Sequence, residues 1–172
     1  MKGAKTIGET SSASNDVVTE ALEKYSNMVR WICFMYLHNQ ADVEDVFQEV
    51  FLKLLLADET FENEEHRKAW LCRITINKCK DVCKTFWRRK VESIEDKELP
   101  FEDGMESEVM AAVLALPQKY KDAVYLFYYE EYTVPEIAKL LRQKENTIYS
   151  NLHRARELLK RKLGGTEYGY AY

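Results

Sequence analysis

From residue 18 to residue 163, apolar side chains recur at spacings of three and four, the repeat of a helix face, and almost nowhere in the alternation of a half-buried strand. That pattern sets aside sheet-based folds and predicts an all-α chain. The repeat fails once in the interior. Residues 91–108, "VESIEDKELPFEDGMESE", hold a proline, a glycine and eight carboxylates with no sustained apolar period, so an extended linker is expected there. The predicted architecture is therefore two helical domains joined by a flexible acidic linker: a disordered segment 1–15, a first domain 16–90, a linker 91–107, a second domain 108–163 and a tail 164–172.

In the first domain, Val18, Leu22, Tyr25, Val29, Ile32 and Tyr36 form one stripe. The sequence "NQAD" then interrupts it, with Asp42 expected as N-cap and Asp45 in the first turn, where a carboxylate favours the positive helix end. The next helix is predicted over 43–57, burying Val46, Phe47, Val50 and Leu54. A long helix is predicted from about His66 to residue 90, with Cys72, Ile76, Cys79, Cys83 and Phe86 on its apolar face. Arg73, Asn77, Lys80, Lys84 and Arg88 lie about 100° around from that face as a basic stripe. Beyond the linker, helices are predicted over 107–115, 118–130, 134–141 and 146–163.

Composition sharpens this picture. A content of 46% apolar and 12% aromatic residues supports a core and excludes wholesale disorder. No apolar run approaches the ~18 residues that span a membrane. The first fifteen residues lack an apolar stretch, so no secretory signal is expected and the chain is expected to stay in the cytoplasm. Its four cysteines are then expected as reduced thiols. His66, Cys72, Cys79 and Cys83 sit close in sequence but contain no C-x-x-C pair, which favours buried thiols over zinc; no metal and no cofactor is expected.

The net charge of −4 argues at first against nucleic acid. Resolved by segment it does not. Residues 25–65 carry two basic against nine acidic side chains, a net of −7, while residues 66–90 carry nine against one, a net of +8. Residues 91–108 return to −7, and 142–163 carry seven basic against two acidic, a net of +5. Such segregation predicts surfaces of opposite sign for different partners.

Two stretches point to nucleic acid. In "YTVPEIAKLLRQKENTIYSNLHRARELLKRKL", Thr133 and Glu136 form a capping box with Pro135 in the first turn, and a four-residue turn leads to a longer basic helix. This is the layout of a helix-turn-helix, whose second helix enters the major groove; an ordinary hairpin with a solvated basic face is the alternative. The helix after His66 combines charge with Trp70, Phe86 and Trp87, a mixture that suits single strands, although Trp70 and Phe86 fit a core equally well.

The segments "ADVEDVFQEVFLKLL", "AWLCRITINKCKDVCKTFWRRK", "LPQKYKDAVYLFYYEEYTVPEIAKLL" and "NTIYSNLHRARELL" resemble, in order and spacing, regions 2 and 4 of the extracytoplasmic-function (group IV) sigma factors of the sigma-70 family. The resemblance implies a non-enzymatic subunit that binds core RNA polymerase, recognises −10 and −35 promoter elements and helps to melt DNA. It implies docking of Asp42, Glu44, Asp45, Phe47, Gln48 and Glu49 on the clamp helices of the largest polymerase subunit. A second contact is implied with the flap of the second-largest subunit. Phe61, Asn63 and Asn77 would meet the unstacked −10 strand, with Arg67, Arg73, Lys80 and Lys84 on its phosphates. Thr147, Tyr149, Ser150, Asn151, His153 and Arg154 lie where the family's second helix meets the −35 duplex. An anti-sigma partner is implied as common in the family. Arg142 and Gln143 stand where the family's turn usually has a glycine and a small apolar residue, and Tyr149 and Asn151 replace common basic residues.

Two readings compete with this one. A stand-alone helix-turn-helix repressor would need only the second domain. A nucleic-acid-processing enzyme would use the acidic cluster at 42–49 with magnesium, but those carboxylates surround a docking face rather than line a basic cleft.

Overall fold

The computed structural model describes residues 7–37, 39–57, 60–89 and 108–164, with 7–15 and 86–89 as backbone only. Every regular element among them is helical. The chain divides into two compact units between residues 97 and 98, inside the acidic stretch. The linker 91–107, residues 1–6 and the tail beyond Gly164 lie outside the described residues, as do the side chains of Phe86, Trp87 and Arg88.

The first unit contains α1 (Ile7–Tyr36), α2 (Gln40–Leu55) and α3 (Glu64–Arg89), each packed on the other two. Helix α1 is the centre. Beyond the expected stripe it buries Met28, Trp31, Cys33 and Met35, so its last turns are enclosed nearly all round. Helix α2 contributes Val43, Val46, Val50, Phe51 and Leu54, and α3 contributes Trp70, Leu71, Cys72, Ile76 and Cys79. Cys33 and Cys79 meet across α1 and α3 with their sulfurs 3.9 Å apart. Buried Thr75 donates to Leu71 O at 2.7 Å, which satisfies its hydroxyl. Each fully buried aliphatic side chain here contributes about 2 kcal/mol, against a few tenths for an exposed ion pair, so the three-helix core holds the unit.

Three boundaries and one core position differ from expectation, each for a local reason. Helix α1 starts at Ile7, where a disordered segment is expected, because residues 9–15 contain no Gly or Pro to stop a helix already nucleated by its packed half. Asn39, not Asp42, caps α2: its side-chain oxygen accepts Asp42 N–H at 2.8 Å and its amide donates to the Asp42 carboxylate at 2.7 Å. Helix α3 starts at Glu64 rather than His66, because Asn63 Oδ1 accepts His66 N–H at 2.8 Å and Glu64 and Glu65 fill the first turn. Phe47, expected in the core, is half-buried at its rim; Phe51, one turn on, takes the inner place and contacts it at 4.9 Å between centroids.

The second unit contains α4 (Glu108–Leu114), α5 (Gln118–Val124), a π-helical segment Tyr125–Tyr129, α6 (Val134–Leu141) and α7 (Glu145–Lys162). Helix α7 packs on α4, α5 and α6 through Ile148, Leu152 and Ala155. The helix expected over 118–130 changes register at Tyr125, where Glu130 N bonds to Tyr125 O at 3.1 Å. That wider turn keeps Tyr125 and Leu126 inside and leaves Phe127, Tyr128 and Tyr129 exposed. At the start of α6, the Glu136 carboxylate accepts the Thr133 N–H at 2.8 Å and its hydroxyl at 2.6 Å. Helix α6 ends with Gln143 N on Ala138 O at 2.9 Å and Arg142 N on Lys139 O at 3.3 Å. This is a Schellman-type end with Arg142 in the left-handed conformation (φ 53°, ψ 47°) that glycine usually takes.

Candidate polymerase-docking and nucleic-acid interfaces

Helix α2 buries one stripe and turns its acidic side outward. Asp45, Gln48 and Glu49 are exposed, and Asp42, Glu44 and Phe47 are half-buried. Glu44 is ion-paired with Arg30 of α1, whose guanidinium carbon lies 4.2 Å from the Phe47 ring centroid. Glu49 is ion-paired with Lys78 of α3. The outward set is therefore part engaged and part open, with Asp45 and Gln48 on the open part. Beside it, Leu52 is 54% and Leu56 72% exposed. With Trp70, Ile74, Lys53 and Lys78 they line a groove of about 710 Å³ between α2 and α3.

The loop before α3 is anchored. Phe61 is half-buried, with its ring 5.7 Å from His66 and 5.5 Å from Trp70, both edge-on. Asn63 is exposed at the N-terminus of α3, its oxygen committed to the helix end. Along α3, Arg73, Asn77 and Lys84 are exposed and Lys80 is half-buried, so these form one outward stripe; Lys84 lies 3.3 Å from Asp81. Arg67 stands apart from that stripe. It is 7% exposed and pairs with Glu64 at 2.5 Å and Glu20 at 3.2 Å. Hydrogen bonds from Lys24, then Arg67, hold the Glu20 carboxyl below its ordinary range. Burial alone would raise Glu64, but hydrogen bonds from Tyr25 and Arg67 outweigh it and lower that carboxyl too. The phosphate role expected of Arg67 does not fit a guanidinium enclosed by two carboxylates. Trp70 is buried, which settles it as core.

On α7, Thr147, Tyr149, Ser150, His153 and Arg154 are exposed on one side. Asn151 is not among them. It is 6% exposed, because its place three residues after Ile148 and four before Ala155 puts it on the inner face. The Arg154 guanidinium beside Tyr120 of α5 holds that phenol below its ordinary value.

Comparison with known proteins accounts for this arrangement. The sigma-70 region 2 family matches residues 21–91, and the sigma-70 region 4 family matches residues 106–159. The chain belongs to the sigma-70 family, in its extracytoplasmic-function group. It is 24% identical to the extracytoplasmic-function RNA polymerase sigma factor SigW of Bacillus subtilis (strain 168), over 92% of this chain and 95% of that protein. It is 29% identical to SigV of the same organism, over 75% of this chain and 80% of that one. Among solved structures, the sigma factor RpoE in complex with the anti-sigma factor NepR from Bartonella quintana shares the fold at a TM-score of 0.68. That match has 20% identity and covers 84% of this chain and 95% of that one. CnrH in complex with the cytosolic domain of CnrY matches at a TM-score of 0.61, with 18% identity, 91% of this chain and 93% of that one.

The sigma factor is thus a promoter-recognising subunit that works with core RNA polymerase and promoter DNA, and the stand-alone repressor reading falls. The first unit corresponds to region 2 and the second to region 4. Two surfaces of this sigma factor escape a reading by motif. Leu52 and Leu56, and the aromatic row Phe127, Tyr128 and Tyr129, are exposed apolar groups. The signal for the leucines was present, since Val43, Val46, Val50 and Leu54 already complete the stripe of α2 and leave them surplus. For the aromatics no such signal exists, because a regular helix over 118–130 would turn Tyr128 inward.

Proposed function

We propose that the outward face of α2, with Asp45, Gln48 and the Lys78-paired Glu49 beside Leu52 and Leu56, is the surface that docks on the clamp helices of the largest polymerase subunit. What supports this is the juxtaposition of carboxylates with exposed leucines: the charges steer and orient a basic partner, and the leucines supply area to bury. The exposed aromatics Phe127, Tyr128 and Tyr129 suit the second contact, with the flap of the second-largest subunit. Phe61, Asn63 and Asn77 receive the unstacked −10 strand, with Arg73, Lys80 and Lys84 on its phosphates. Thr147, Tyr149, Ser150, His153 and Arg154 read the −35 duplex, and Tyr120 steadies Arg154 from behind. No residue is assigned a catalytic step. No helix of the described residues is long and apolar enough to cross a membrane, and we place the protein's action in the cytoplasm with polymerase.

The experiment is assembly on core polymerase followed by transcription. Exchanging Asp45 for Lys and Gln48 for Ala should weaken the complex with core, while Ser150→Ala and Arg154→Ala should leave the complex intact and change which promoters fire. Equal core affinity for the α2 variants would remove that face from the docking role. The anti-sigma complex of RpoE suggests a partner that competes for the same α2 face; co-purification from the native host with loss of core binding is the observation that tests it.

A further inference from the structure

At the start of α3 lies a cluster of charged groups that neither docking nor promoter contact uses. Glu20, Lys24 and Tyr25 stand close together on α1, and Glu64 and Arg67 on the first turn of α3. Arg67 Nη2 lies 2.5 Å from Glu64 Oε2 and 3.2 Å from Glu20 Oε2. Lys24 Nζ lies 2.6 Å from Glu20 and 3.7 Å from Glu64, and the Tyr25 hydroxyl donates to Glu64. Exposed pairs of this kind contribute little. Arg67 differs because it is almost wholly enclosed, so its donors must be met where they are, and its Nη2 is held by both carboxylates. The first turn of α3 is thereby tied to α1 instead of being left to fray.

That same turn carries the loop. Arg67 N donates to Asn63 O at 3.2 Å, His66 N to Asn63 Oδ1 at 2.8 Å and Glu62 N to His66 Nδ1 at 3.4 Å. The Phe61 ring rests edge-on against His66 and Trp70. Contacts of residues 61–63 thus run to α3 at 66, 67 and 70, so whatever fixes that turn fixes the loop. With Asn63 Oδ1 committed to the helix end, the two donors of its Nδ2 are what it offers a base.

We propose that Glu20, Lys24, Tyr25, Glu64 and Arg67 form a positioning network, which fixes the first turn of α3 against α1 and so holds Phe61 and Asn63 ready to receive an unstacked base presenting acceptor atoms. Arg67 acts through the loop and does not touch DNA. The inference rests on the −10 role proposed above. Unstacking a base costs a few kcal/mol, and a loop ordered before the base arrives adds no further ordering cost of its own.

The test measures affinity of holoenzyme for a fluorescent single strand covering the −10 region of a promoter mapped with the wild-type protein. The same strand then carries one abasic nucleotide at each position in turn. Wild-type holoenzyme should lose about tenfold in affinity at one position. Arg67→Met, and the milder Tyr25→Phe and Glu20→Gln, which remove single contacts and keep the core, should lose less than about twofold there, at matched folded fraction. An unchanged abasic penalty in all three variants would overturn the network. A uniform loss across all strands for Arg67→Met, with the salt slope reduced by about one, would make Arg67 a phosphate contact instead. A wild-type protein that initiates transcription yet shows no abasic penalty anywhere would remove the base-capture role itself, and this inference with it.

Discussion

Arg142 holds a backbone conformation that an L side chain adopts at a cost of roughly 1 kcal/mol, in a place where the family usually has glycine. Arg142→Gly should therefore raise stability by up to about 1 kcal/mol, a rise in Tm of a few degrees, read by thermal unfolding; an unchanged or lower Tm would mean that the arginine side chain offsets its own strain. Asn151 and Arg154 make a second contrast at this scale. Motif matching puts both on the DNA side of α7, but burial separates them. Asn151→Ala should leave −35 preference unchanged, because the side chain lies on the inner face of α7. Arg154→Ala should leave Tm alone and cost about 1–3 kcal/mol in promoter binding, measured by holoenzyme footprinting on −35 variants. The apolar stripe of α7 was legible because Ile148, Leu152 and Ala155 share a period. That period does not place Asn151, because a polar residue on an inward position carries no sequence mark of its own.

At the scale of elements, the N-terminus of α3 joins fold to function, because Asn63 both caps the helix and faces the promoter strand in the proposed complex. Asn63→Asp keeps an acceptor for His66 N–H and adds a charge that the helix end favours, but it removes the amide donors. It should preserve Tm while lowering promoter opening by about tenfold; Asn63→Ala should lose about 1 kcal/mol of stability as well. Acid should loosen the same region and, in the second unit, the start of α6. Hydrogen bonds and neighbouring cations lower the carboxyls of Glu20 and Glu64, and the Thr133 hydroxyl and N–H lower that of Glu136. Each binds its proton more weakly when folded than when unfolded. Their stabilisation is therefore complete above the ordinary carboxylate range and is lost as pH falls through the lowered folded values. Tm followed from pH 6 downward should decline below about pH 4, and Glu20→Gln should flatten part of that decline. Which residues form helices was readable from periodicity and caps. Where helices start was less so, since "NQAD" offers two cap residues and only the observed bond of Asn39 to Asp42 N–H decides between them.

Across the whole molecule, charge is segregated rather than summed. An acidic α2 face, a basic α3 stripe and a basic α7 sit on separate surfaces of two compact units, with an acidic stretch between them in the sequence. The free protein should accordingly bind promoter duplex weakly, since its acidic blocks repel phosphate until polymerase covers them; tight, salt-sensitive binding by the protein alone in a gel-shift titration would speak against that balance. Two-unit organisation was legible in sequence. The exposed aromatics of Tyr125–Tyr129 were not, because a π-helical turn changes which side chains face out without changing the residues that form it. This sigma factor, through region 2 and region 4 together, decides where polymerase starts. The most direct measurement is sequencing the 5′ ends of transcripts made from native genomic DNA by core polymerase with and without the protein. Start sites that appear only with the protein, aligned on one shared −10 and one shared −35 element, are the predicted result; the same starts with and without it would contradict the account.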